Sequence, residues 1–97
     1  MAKKINASFT ASVVKNNVKG GAWMASYVIA HEAVDGFMPV KNDSSAWTSA
    51  AAAKRWVKEM VKTHTPKKSV KFLPGNETDA KGKPIWFGGS LAFKQEV

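Results

Sequence analysis

Residues Ile5 to Val13 alternate almost without error. Ile5, Ala7, Phe9, Ala11 and Val13 fall on one parity, and Asn6, Ser8, Thr10 and Ser12 on the other. Successive side chains of a strand point to opposite faces, so this run specifies a strand with one buried and one wet side. Asn16-Asn17 and Gly20-Gly21 then mark a turn that permits positive φ. The run Ala22–Glu32, rich in Trp23, Tyr27, Val28 and Ile29, reads as the return strand of a long antiparallel hairpin.

The pattern then loosens. Phe37, Met38 and Val40 suit a short edge strand or a loop packed on the core, and Pro39 argues for the edge because it cannot donate to a ladder. Asn42 to Ser45 reads as loop. A helix follows, capped by Thr48 or Ser49 and carried by the alanine run Ala50–Ala53. Ala50, Ala53, Val57, Met60, Val61 and His64 share one face at helical spacing. Arg55 and Glu59 stand at i, i+4 and can pair. Pro66 disfavours helical geometry at Thr65, which stops the helix near Lys62–His64.

Ser69–Leu73 reads as a short strand with Val70 and Phe72 inward, followed by a polar loop over residues 74–83. Ile85–Glu96 is a last strand with Ile85, Phe87, Leu91 and Phe93 on one parity. Its Gly88-Gly89 pair signals a bulge, a bend or the close approach of another backbone. The expected fold is α+β: an antiparallel sheet of about four strands, order β-β-α-β-β, with one helix packed on one face. Ninety-seven residues fit one domain, 1–97.

The chemistry of catalysis is hard to find in these residues. There is no cysteine, which excludes disulfides and thiolate metal sites and suits a reducing cytoplasm. Neither a signal-peptide core nor an apolar run long enough to span a bilayer is present, so no membrane association is expected. Gly75 and Gly82-Lys83 do not make a phosphate-binding loop, since the spacing is wrong and Pro84 stands where Ser or Thr is required. His31-Glu32-Ala33-Val34-Asp35 lacks the second histidine of a zinc-protease helix, and His31, Glu32, Asp35 and His64 are a thin basis for a metal site. No serine lies in a nucleophile elbow. The expectation is a non-enzymatic protein without metal or cofactor.

What stands out instead is charge. Fifteen Lys and Arg oppose seven Asp and Glu, for a formal net charge of +8. Lys54, Arg55, Lys58 and Lys62 form a basic row on the helix, extended by Lys67, Lys68 and Lys71, against the single acid Glu59. Lys81 and Lys83 offer a second contact before Trp86. If Phe87 points to the helix, Trp86 points to the open face of the sheet, among the small polar side chains of the first strand. Such a face can stack bases while lysines hold phosphates. Trp47 and Trp56 are expected in the core or at its rim.

Two readings follow. The first is a nucleic-acid-binding accessory domain that contacts DNA or RNA phosphates through Lys54, Arg55, Lys58, Lys62, Lys67, Lys68, Lys71, Lys81 and Lys83, with Trp86 stacking. Sequence specificity is low, because only one arginine is present for bidentate base reading. The alternative is a protein-interaction module, such as an inhibitor, an antitoxin-like protein or a phage-type adaptor. It would dock on an acidic protein or form a homodimer through its sheet.

Overall fold

The computed structural model describes residues 3–15 and 22–96. They form β1 (Lys4–Lys15), β2 (Trp23–Ala33), β3 (Gly36–Trp47), α1 (Ala50–His64), β4 (Phe72–Pro74) and β5 (Trp86–Glu96). The strands make one sheet in the order β3-β2-β1-β5-β4, and every pairing is antiparallel. The turn expected over Asn16–Gly21 lies outside the described residues.

The alternation in β1 decides which face is covered. Ala7, Phe9, Ala11 and Val13 are buried, and their cross-strand partners Tyr27, Ala25, Ile29 and Phe93 are buried with them. Phe9 stacks on Tyr27 with ring centroids 5.2 Å apart. Against this face α1 lays Ala53, Val57 and Val61, each 0 % exposed and four residues apart, one above the other on the helix. Fully burying one such valine contributes about 1.5–3 kcal/mol. Trp47 and Trp56 are partly buried against this core, Trp56 with its ring 5.6 Å from that of Tyr27.

Local chemistry sets the helix ends. The Ser49 hydroxyl accepts the Ala52 N–H at 3.1 Å and so caps the first turn. At the other end the Thr65 N–H donates to the Val61 carbonyl at 2.9 Å, and its hydroxyl donates to the same oxygen at 2.7 Å. Pro66 follows. The His64 ring stacks on Tyr27 at 5.9 Å. Burial lowers its pKa below the usual histidine value; Lys41 lowers it further, and Asp43 opposes the shift.

The expected α+β class, an antiparallel sheet with one helix on one face, is what the structure shows, while details of order and contacts differ. The third segment is a twelve-residue strand, so the element order is β-β-β-α-β-β. The stretch Asn42–Ser45, expected as a loop, pairs residue by residue with Tyr27 and its neighbours on β2. Pro39 does lie on the sheet edge, beside a register shift at Ile29/Ala30. Glu59 pairs with Lys62 at 3.8 Å rather than with Arg55. Of the three expectations for Gly88-Gly89 the close approach of another backbone is the one seen, since β5 runs in register with β1 from Trp86 to Glu96 without a bulge. At Gly89 a Cβ would meet the Lys71 carbonyl oxygen at 2.8 Å, so this glycine admits the neighbouring chain.

Candidate nucleic-acid interface

Among the described residues only one face of the sheet carries a helix; the other is open. Even-numbered positions of β1, β2 and β5 point there. Asn6, Ser8, Thr10 and Ser12 stand beside Met24, Ser26 and Val28 on one side, and beside Trp86, Gly88, Ser90, Ala92 and Lys94 on the other. The surface is lined with hydroxyls, two of which, on Ser12 and Ser26, bond to each other at 3.0 Å. Lys94 donates to the Asn6 side-chain carbonyl. Met24, Val28 and Leu73 are exposed on the same face.

Trp86 dominates it. The side chain is 42 % exposed, and its ring lies down between two glycines. A Cβ at Gly75 would sit 2.2 Å from Cε3 of the indole, and one at Gly88 would sit 2.8 Å from Cη2. Gly75 is fixed there by its own N–H, which donates to the Trp86 carbonyl at 2.7 Å. No side chain larger than hydrogen fits under the ring at either position. The glycines therefore leave room for the indole to lie flat against the sheet, which is the posture a stacking surface needs.

Concavities flank the ring on both sides. One, about 550 Å³, is lined by Thr10, Lys71, Leu73, Gly88 and Ser90 together with the indole. The other, about 380 Å³, is lined by Val14, Gly75, Asn76, Glu77 and Ile85 with the indole. The first holds a lysine and no acid among its described lining residues; the second holds one carboxylate.

The basic residues do not form one continuous patch. Arg55, Lys58 and Lys62 are exposed on α1, across the sheet from Trp86. Lys54 turns inward: its ammonium lies 3.5 Å from the centroid of the Phe87 ring and 6.0 Å from that of Phe72. Desolvation, then the nearby Lys58, lowers its pKa. Lys54 is thus half-buried against the aromatic side chains of the sheet, apart from the exposed Arg55, Lys58 and Lys62. Lys67 and Lys68 are exposed after the helix, Lys67 beside Lys4 and Lys94 at the far end of the sheet. Among the described basic residues, Lys71 is the one that lines a concavity with Trp86. Lys81 and Lys83 lie on the turn before β5, where both backbone N–H groups donate to Asp79 Oδ1, at 2.8 and 3.0 Å.

Sequence reasoning missed Lys4, Lys15, Lys94 and the glycine cradle. The spacing Trp86-x-Gly88 carries part of that signal, since same-face neighbours on a strand are two apart. Among the described residues no three His, Cys, Asp or Glu side chains gather in a way that could hold a metal. No helix among them is long and apolar enough to cross a membrane. Comparison with protein-family models, curated proteins and solved structures finds no match to this chain.

Proposed function

We propose that the protein is a non-enzymatic binder of single-stranded nucleic acid, with low sequence specificity, that uses the open sheet face. One observation carries the reading: an indole lying flat over Gly75 and Gly88, half exposed, with Lys71 in the adjoining groove. Stacking of a base on an aromatic ring contributes about 1–3 kcal/mol and tolerates any base, because every base has a π face. A duplex keeps its bases stacked on one another, so the flat indole favours unpaired strands. The exposed Arg55, Lys58 and Lys62 act at longer range, raising the local concentration of a polyanion around a chain of charge +8. The absence of cysteine fits a cytoplasmic setting.

The exposed Leu73, Met24 and Val28 on the same face favour a second reading, a homodimer that buries Trp86 sheet to sheet. The two readings compete for one surface. Fluorescence anisotropy with labelled single-stranded and double-stranded DNA and RNA at two salt concentrations separates them. The proposed function predicts preference for single strands, loss of affinity as salt is added, and loss on Trp86→Ala. Absence of binding to any strand at low salt, with a dimer by light scattering, refutes it in favour of the homodimer.

A further inference from the structure

On the helix side, at the end of the sheet where β1 finishes and β5 begins, lies a third concavity of about 560 Å³. Its lining includes Lys15, Trp23, Asp79, Lys81, Lys83 and Phe87. The volume is in the range of small-molecule sites. Its aromatic side is made by Trp23 and Phe87, whose rings lie 6.1 Å apart, tilted by 37°, with the Lys54 ammonium 3.5 Å from the Phe87 centroid. Its rim carries three ammonium groups from two separate segments of the chain.

The one carboxylate among these residues is already committed. Asp79 accepts the N–H groups of Lys81 and Lys83 and stands 3.8 Å from the Lys15 ammonium. The backbone hydrogen bond from Lys83 is the largest cause holding its carboxyl below the usual range; desolvation opposes it, and the bond from Lys81 and the charges of Lys15 and Lys83 add to it. Asp79 also closes the turn through its backbone, donating to the Lys83 carbonyl at 2.9 Å and accepting from Gly82 at 3.0 Å, where Gly82 takes φ +79°. The acid thus shapes a rigid turn that presents Lys81 and Lys83, and the rim keeps an excess of positive charge. An aromatic side next to a cationic rim matches a planar ring system joined to an anion.

We propose that this pocket binds a phosphorylated nucleoside, its base against Trp23, beside the Phe87 ring whose other neighbour is Lys54, and its phosphate among Lys15, Lys81 and Lys83. That chemistry has two sources: a free mononucleotide, or the phosphorylated end of a strand. Only the second rests on the proposed function. Phe87 and Trp86 are consecutive in β5 and face opposite sides, and the segment 75–85 separates their concavities. A strand that crosses Trp86 and turns over this segment brings its end to the lysine rim.

The test is calorimetric titration of the full chain with AMP, adenosine, inorganic phosphate, and short oligonucleotides bearing a 5′-phosphate, a 3′-phosphate or neither. Saturable AMP binding at least tenfold tighter than adenosine or phosphate supports the pocket and names the free nucleotide. Without it, at least tenfold preference for a phosphorylated end supports the pocket and names the strand terminus. The double variant Lys81→Ala/Lys83→Ala, which keeps the backbone donors to Asp79, should weaken the preferred ligand about tenfold, a few-fold per exposed contact. AMP that binds through Lys81 and Lys83 while unphosphorylated oligonucleotides do not bind shows the open-face reading failing separately from the pocket. AMP no tighter than phosphate, together with oligonucleotides indifferent to their ends, overturns the proposal. So does a double variant that binds like the parent.

Discussion

Replacing Gly75 with alanine attacks the stacking surface without touching the tryptophan. The new Cβ would lie 2.2 Å from the indole Cε3, well inside the ~3.5 Å at which carbon atoms make favourable contact. Gly75 is tied to the Trp86 backbone by a 2.7 Å hydrogen bond, so the ring must yield, swinging off the sheet. Lifting it exposes roughly 100 Å² of apolar surface, which costs about 2.5 kcal/mol at 25 cal/mol/Å². Removing a glycine from the unfolded chain returns about 0.4–1 kcal/mol. The net loss of about 1.5–2 kcal/mol lowers Tm by roughly 6–15 °C in a domain of this size. A displaced ring also forfeits base stacking, about 1–3 kcal/mol, or roughly 5- to 150-fold in Kd. The assay is anisotropy of a labelled oligothymidylate, read well below the variant's Tm, beside a melting curve. Gly88→Ala should act in the same direction. A Gly75→Ala protein that is folded and binds with parental affinity refutes the cradle.

Three further outcomes follow from the same geometry. The triple change Arg55→Ser, Lys58→Ser and Lys62→Ser should weaken equilibrium binding less than about threefold at 150 mM salt, because exposed charges beyond a Debye length are screened; a tenfold loss would move the binding face to α1. Lys71→Ala should reduce the slope of log Kd against log salt by about 0.7, the value for one single-strand phosphate contact. His64 has a folded pKa below its unfolded value, so the unfolded state takes up more protons between the two. Its contribution is full above the unfolded value near 6.5 and is lost as pH falls through the folded value. Tm should therefore drop more steeply from pH 7 to 5 in the parent than in His64→Gln.

The strands that bury one face were legible because burial imprints alternation. β1 and β5 carry Phe9, Val13 and Phe93 inward, and their parity assigned Trp86 to the open side. β3 was not legible. It is an edge strand, exposed over nearly its whole length, so nothing selects apolar residues at alternate positions, and Asn42, Asp43, Ser44 and Ser45 resemble a loop. The helix was legible from its cap and its stripe, but the direction of Lys54 was not. It stands next to Ala53 and three residues before Val57, at the border of the buried stripe, and only the placement of Phe87 decides that its ammonium lies over a ring. The cradle depends on Gly75 meeting Trp86 across two strands, a pairing no local pattern reveals.

Chemical-shift mapping with an oligothymidylate tests the central claim most directly. The account predicts that the largest changes fall on the Trp86 indole N–H and on the amides of Thr10, Lys71, Gly88 and Ser90, with the outer face of α1 little affected. Changes confined to Arg55, Lys58 and Lys62, with the Trp86 indole unmoved, would contradict it.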